Sequence, residues 1–364
     1  MNAANVSLIP MSVAREIKNW QTDVASNGSI NFNDSAEANA FDGLRVQASR
    51  LFNCSQDDIA GGSSCTELLS SLAWALMPQK HQNVVSTDIV YPSTIYPFTR
   101  VSHHTACEIR LARGHNGYAG LDQIIKNIDK NTAAVSISHA EYTGGQLHDL
   151  QTLAEVAHAH GAVLIVDATQ TAGAIPIDAP ASGADAIIAG SYKWLCGPFG
   201  AAVMYLAPKL QSALEPGLVG FRSHKDMWDL NPARLDYPDT AKRFEFSTMA
   251  FGCLKGLEKS IEYLTDIGIK RIYEHNIALA DRLVEGLARL DIEVVSPMNA
   301  PERTSIVTCR IKGFDPAKIV QNLQERKVIV HKRQEFVRFS SHLYNSETDV
   351  DRAVAELGSL IRRC

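Results

Sequence analysis

Lys193 stands in the run Gly190-Ser191-Tyr192-Lys193-Trp194-Leu195-Cys196-Gly197-Pro198-Phe199-Gly200, and upstream of it Asp167 closes an apolar stretch. A lysine enclosed by aromatic, Gly and Pro residues is partly desolvated, which lowers its pKa and frees the amine to act as a nucleophile. A carboxylate at the end of a buried strand is costly unless it meets a cation. Amine and carboxylate together are what pyridoxal phosphate requires. The lysine forms a Schiff base, and the acid keeps the pyridine nitrogen protonated so that the ring becomes an electron sink. Taken singly, the two residues read as a surface lysine and a helix-capping Asp, so the rest of the chain has to decide.

Five further features bear on that decision. Gly61-Gly62-Ser63-Ser64-Cys65-Thr66-Glu67 opens a helical pattern. Free amides and the positive end of the helix dipole suit a phosphate there, although a Gly-rich N-cap alone would look the same. In Val90-Tyr91-Pro92-Ser93-Thr94, Tyr91 could stack on a cofactor ring or simply fill the core. Ser138-His139-Ala140-Glu141-Tyr142-Thr143-Gly144-Gly145 places polar groups after a strand, where a lone His is more often structural. Gln170, three residues past Asp167, could reach the cofactor's phenolic oxygen. Finally, Phe336-Val337-Arg338-Phe339-Ser340 sets an arginine inside an apolar strand. A buried arginine needs an anion, either a structural acid or a carboxylate held by the guanidinium fork.

The elements that must position these residues follow from the apolar pattern. Short apolar runs at Asn83–Val90, Ala133–Ser138, Ala162–Val166, Ala186–Ala189 and Ala201–Leu206 read as strands. Helical patterns at Thr66–Met77, Gly120–Asn127 and Asp149–His160 lie between them. This rhythm predicts an α/β fold: a mostly parallel central sheet covered on both faces, with the site at the strands' carboxyl ends. Residues 207–246 are Pro-punctuated and irregular. Long helical patterns follow at Met249–Leu264 and Ile267–Leu290. Shorter elements come next: strands at Ile292–Val295, Ser305–Ile311, Val328–Val330 and Phe336–Ser340, and helices near Pro316–Arg326 and Ser346–Arg362. The expected organisation is an arm and first helix in residues 1–20 packing on the small domain, a large domain over 21–247, and a small C-terminal α+β domain over 248–364.

Bulk properties narrow the function classes. The 364 residues are 45% hydrophobic and 21% charged, with a formal net charge of -5. This is the composition of a globular protein and offers nothing basic enough for nucleic acid. His331-Lys332-Arg333 is the densest cationic cluster and is too short for a polyanion tract. The cysteines at 54, 65, 107, 196, 253, 309 and 364 are scattered without metal-ligand spacing and read as free thiols. No run reaches the roughly 18–20 apolar residues that span a membrane, and the start lacks signal-peptide blocks. A cytoplasmic protein is expected, with neither membrane nor nucleic acid as a partner and no metal.

The set resembles the fold-type I PLP enzymes of the class V aminotransferase group, which includes cysteine desulfurases, kynureninases and isopenicillin N epimerase-like proteins. The resemblance runs from about residue 60 to residue 356. It is strongest from Ser138–Gly145 through Asp167-Ala168-Thr169-Gln170 to Ser191–Pro198, and again in Val337–Asn345. It implies pyridoxal 5'-phosphate as cofactor, with Lys193 as Schiff-base lysine and proton shuttle, Asp167 on the pyridinium nitrogen and Gln170 near the phenolic oxygen. Cys65 and Thr66, with help from Tyr192, would cup the phosphate. Tyr91 would stack on the ring, Arg338 would bind the substrate α-carboxylate, and Tyr142 and Ser93 would lie beside the substrate. Thr248 would reach the phosphate of the neighbouring subunit, which implies a homodimer with shared active sites.

Two departures from the group's patterns bear on the reaction. The segment before Arg338 carries no nucleophilic Cys and has no room for the desulfurase loop; Cys309, in a predicted strand, is a poor substitute. Thr94 and Gln170 stand where kynureninases carry an acidic residue and a His. The expectation is therefore aminotransferase-type chemistry on a small amino acid. A C–S β-lyase on a cysteine conjugate, an amino-acid epimerase, and an inactive binding protein of the same fold are the alternatives.

Overall fold

Strands β1 (Ile59–Gly62), β2 (Asn83–Thr87), β3 (Glu108–Ala112), β4 (Thr132–Ser138), β5 (Val163–Asp167), β6 (Ala186–Gly190) and β7 (Ala202–Leu206) form one sheet in the spatial order β1-β7-β6-β5-β4-β2-β3. The computed structural model describes residues 1–362; Cys364, read from the sequence as a free thiol, lies outside them. β2 to β6 are parallel, and β7 alone runs against its neighbours. β6 and β7 are buried along their whole length. A strand covered on both faces has no reason to alternate polar and apolar residues, hence the continuous apolar runs.

Eight helices matter for the argument: α1 (Met11–Asn27), α2 (Cys65–Leu76), α3 (Pro92–Thr105), α4 (Leu150–Ala159), α5 (Phe251–Ile267), α6 (Ile269–Ala288), α7 (Pro316–Glu325) and α8 (Glu347–Ile361). Local sequence sets their ends. Ser64 caps α2 by accepting from the Glu67 amide, Pro92 opens α3 at its first turn, and Asp149 caps α4 through Thr152. These are the residues that satisfy or dispense with the unpaired first-turn amides. No helix among the described residues is long and apolar enough to cross a membrane.

A second, antiparallel sheet follows, with β8 (Glu293–Val294), β9 (Ile306–Arg310), β10 (His331–Arg333) and β11 (Phe336–Ser340) in the order β10-β11-β9-β8. The strand expected at Val328–Val330 forms instead at His331–Arg333. The tight turn at Gln334-Glu335 sets the β10–β11 register, so the ladder starts later. Val328 and Val330 are buried on the approach to it.

The two cores meet at Gly268, which separates α5 from α6 with φ +97°. Leu254, Leu257 and Ile261 of α5 pack with the large sheet, whereas Leu279, Leu283 and Leu287 of α6 pack with Val337 and Phe339. The first helix extends past residue 20 to Asn27 and lies along α5, where Trp20 and Ile17 occupy the space over Gly252 and Gly256. The arm before it runs beside β11. Ala3 N–H donates to the Ser340 carbonyl at 3.1 Å and Ala4 N–H to Ser340 Oγ at 3.0 Å.

Candidate active site

Asp167 ends β5, and Lys193 sits in the turn that leaves the adjacent strand β6. Both are buried. Asp167 Oδ2 accepts from Thr94 Oγ1 at 3.0 Å, and Oδ1 accepts from the Thr169 amide at 2.9 Å. No cation forms an ion pair with this carboxylate among the described residues. The Lys193 amine lies 5.2 Å from the centre of the Tyr91 ring and 5.6 Å from that of Tyr192. Burial pulls its pKa from 10.5 to about 8; the Asp167 charge opposes the shift and Arg338 adds to it. An amine whose neutral form is far more populated at neutral pH than that of an ordinary lysine is a usable nucleophile and base.

The turn carrying Lys193 is built to be rigid. Gly190 N–H donates to Thr169 Oγ1 at 3.0 Å and Gly197 N–H to the Ser191 carbonyl at 2.8 Å. Gly173 has φ +91°, and a Cβ there would stand 2.4 Å from the Trp194 carbonyl oxygen. The loop after Asp167 therefore closes on the Lys193 turn only because residue 173 lacks a side chain. His139, buried and shifted down to about 3 mainly by its burial, pairs through Nδ1 with Thr171 Oγ1 at 2.9 Å. It is a neutral brace for that loop.

Cys65 and Thr66 open α2 on one side of the same cavity, which Tyr91, Ser93, Tyr142 and Tyr192 also line. The amides of Cys65 and Thr66 belong to the first helical turn and lack intrahelical acceptors. The Cys65 thiol is turned toward Asp167 and Thr169, and burial with the Asp167 charge pushes its pKa well up. Tyr192 stacks on Phe199 with ring centres 4.8 Å apart. Thr248 is exposed and lies outside this cavity.

Gln170 lines the cavity too, but most of its amide is already engaged. Oε1 accepts from Trp194 Nε1 at 2.8 Å, and Nε2 donates to the Ala4 carbonyl at 3.1 Å, leaving one N–H. The arm is thus part of the site, a role that no sequence motif announced. Thr94 and Thr169 were missed as well. The sequence shows them only as hydroxyls near more prominent neighbours, and their link to Asp167 is tertiary.

Arg338 is fully buried on β11. Its Nη1 donates to the Tyr142 carbonyl oxygen, while Nε and Nη2 have no partner. Burial, with Arg333 as a second cause, lowers its pKa to about 9. The Tyr142 loop is stitched to the small sheet by Thr308 Oγ1 donating to the Thr143 carbonyl at 2.6 Å and Thr304 Oγ1 to the Gly145 carbonyl at 2.8 Å. The large-sheet cavity and the small-sheet arginine are thereby held together.

A mostly parallel sheet that brings a softened lysine amine against an uncompensated carboxylate at its carboxyl edge, with an unpaired arginine arriving from a smaller domain, defines a fold-type I enzyme. Within that class, a family profile described as aminotransferase class-V matches residues 1–353, and the chain belongs to that family. It is 25% identical to an uncharacterized aminotransferase of Bacillus subtilis, covering 97% of this chain and 92% of the relative. It is 27% identical to a probable cysteine desulfurase of Pyrococcus abyssi, covering 86% and 81%. The solved apo cysteine desulfurase of Thermococcus onnurineus NA1 has the same fold, with a TM-score of 0.89 at 22% identity, covering 100% of this chain and 94% of that one.

Pyridoxal phosphate is the cofactor of this family, and the residues present fit it. Asp167 has neutral donors and no paired cation, the Lys193 amine has no acceptor among the described residues, and two first-turn amides of α2 face the same cavity.

Proposed function

We propose that this enzyme works on the α-amino group of a small amino acid in aminotransferase fashion, with Lys193, Asp167 and Arg338 as its working residues. When bound, pyridoxal phosphate supplies an electron-withdrawing ring that weakens the bonds at the substrate's α-carbon. The chain's own groups do the rest. Asp167, fixed by Thr94 and Thr169, keeps a proton on the ring nitrogen. Lys193 would hold the cofactor through its amine, and that amine, with its pKa lowered to about 8, is the group placed to take and return the substrate's α-proton. The amides of Cys65 and Thr66 serve the phosphate, Tyr91 covers the ring and the free N–H of Gln170 serves its hydroxyl. Ser93 and Tyr142 flank the substrate.

The observation that carries the reading is Arg338, a buried guanidinium with two unpartnered nitrogens and no acid beside it. A buried cation of that kind calls for a ligand carboxylate. A shared fold with a solved cystine C–S lyase, at a TM-score of 0.89 and 20% identity, supports a second reading, cleavage of a C–S bond by β-elimination. A desulfurase-type persulfide has less support, because β10 and β11 are joined by Gln334-Glu335 alone, with no cysteine on the hairpin. The reading includes a homodimer in which the exposed Thr248 serves the partner's site.

The test is to incubate the purified, cofactor-loaded protein with individual amino acids, with and without an α-keto acid acceptor. Keto-acid formation that depends on the acceptor is expected. Ammonia or sulfide released without an acceptor would replace the aminotransferase reading with the lyase one.

A further inference from the structure

Arg338 has a companion. On the β10–β11 hairpin, His331 pairs with Arg338 and Arg333 with Phe336. Directly paired residues, and residues two apart on one strand, share a sheet face, so His331, Arg333 and Arg338 all stand on the same side. Tyr142 meets both arginines. Its carbonyl accepts from Arg338 Nη1, and the Arg333 guanidinium lies 5.6 Å from the centre of its ring. Tyr142 in turn sits edge-on to Tyr91, with ring centres 5.4 Å apart, and Tyr91 covers the Lys193 amine. The two guanidinium groups are thus connected through Tyr142 and Tyr91, both of which line the cavity, to the Lys193 amine.

Nothing among the described residues neutralises this pair. Neither arginine forms an ion pair among the described residues. Arg333 Nη2 reaches only Asn5 Oδ1, at 3.4 Å, and its buried Nε has no partner. Glu335, the acid next on the hairpin, pairs with Arg310 instead. Burial is the main cause of the lowered pKa values of Arg338, His331 and Lys193, and Arg333 pushes each further down, with Arg338 adding to the shifts of His331 and Lys193. The protein therefore keeps two cations against Tyr142, a residue that lines the cavity, at the cost of their mutual repulsion. One α-carboxylate offsets one of them.

Building on the proposed reading of the site, we propose that Arg333 is a second anion receptor, and that the preferred substrate is an amino acid with a second carboxylate on a short side chain. Arg338 takes the α-carboxylate. Arg333, resting on the Tyr142 ring, presents Nε and its free donors to the distal one. The arrangement selects by difference, since a monocarboxylic amino acid leaves the Arg333 cation uncompensated.

Succinate and propionate, which lack an amino group and cannot react, are the probes. Each is titrated calorimetrically into the cofactor-loaded wild type and into Arg333→Gln and Arg333→Lys. Wild type is expected to bind succinate at least about tenfold tighter than propionate, the scale of one charge-assisted contact. Arg333→Gln should remove that preference while leaving propionate affinity and melting temperature unchanged, and Arg333→Lys should restore part of it. Equal weakening of both ligands in Arg333→Gln would mean that the two arginines grip a single carboxylate. Absence of a preference in wild type, or a preference that survives Arg333→Gln, would overturn the assignment just as fully. The enzymatic reading is checked separately, by the visible absorption band and product assays, so the two can fail independently.

Discussion

Thr94 donates its hydroxyl to Asp167 Oδ2 at 3.0 Å, linking the first turn of α3 to the end of β5. A hydrogen bond to a charged group is worth about 1.5–3 kcal/mol. Thr94→Val should cut kcat/KM by about 10- to 100-fold, with Thr94→Ser staying close to wild type. Steady-state kinetics of the three proteins check this; a Val variant as active as wild type would remove Thr94 from the machinery.

The Lys193 amine, lowered to about 8 by burial, is protonated below that pH and cannot attack a carbonyl. Uptake of pyridoxal phosphate by the cofactor-free protein should therefore accelerate as pH rises through about 8 and then level off. Arg338 contributes to the lowering, so Arg338→Met should move the midpoint upward. Lys193→Ala should show no borohydride-fixed cofactor at any pH, as read by absorbance after denaturation.

Arg338 combines full burial with two unpartnered nitrogens. Replacing an uncompensated buried charge by an apolar group of similar length removes a desolvation cost. Arg338→Met should stabilise the ligand-free protein by about 1 kcal/mol or more, yet raise KM for amino acids by about 100-fold or more. Denaturant titration and kinetics on one preparation test both halves; a stability loss with unchanged KM would make the arginine structural.

His342 is buried, with Nε2 on the Trp194 carbonyl at 2.9 Å and Nδ1 facing Asn276 Nδ2 at 3.2 Å. Burial holds its pKa down at about 4 from an ordinary 6.5. The unfolded chain takes up the proton below about 6.5 and the folded one only near 4, so stability must fall as pH drops through that window. The loss is on the order of 3 kcal/mol at 1.36 kcal/mol per unit. His342→Gln should lessen the slope between pH 6.5 and 4, leaving the part that the buried His139 contributes; an unchanged slope would assign the effect elsewhere.

Gly173→Ala adds a Cβ at φ +91° that lies 2.4 Å from the Trp194 carbonyl oxygen. A loss on the order of 2 kcal/mol or more is expected, together with poorer cofactor retention, because the Lys193 turn must move. Gly161→Ala is the control. It has φ +77° but nothing within 4 Å, so it should cost only about 1 kcal/mol. Equal losses would show that backbone conformation, not contact, sets the requirement.

The parts of this molecule legible in its sequence are those where burial is uniform. The strands holding Asp167 and preceding Lys193 are apolar throughout because helices cover both faces. β1, Ile-Ala-Gly-Gly, lacks side chains to form a pattern, and β3 is a half-exposed edge with the mixed sequence Glu-Ile-Arg-Leu-Ala. α3 begins with Pro92 and contains Pro97, which masked its period. At the site, Lys193, Asp167 and Arg338 were visible because a charge inside an apolar run is conspicuous. Thr94, the arm's Ala4 and the pairing of Arg333 with Tyr142 were not, since each is defined by a neighbour far away in sequence. Gln170 was visible, but its two bonds to Trp194 and Ala4 were not.

The arm's seat against Ser340 has a consequence for how the protein comes into being. Ala4 bonds a side chain 336 residues further on and also caps the Gln170 amide. On a ribosome residues 3 and 4 have nowhere to dock until β11, made more than 330 residues later, has emerged. Closing so long a loop gives the arm little head start over the rest of the chain. The pocket is then finished only after β11 has formed, and a chain stopped before β11 would carry Lys193 and Asp167 without Ala4 seated against Gln170.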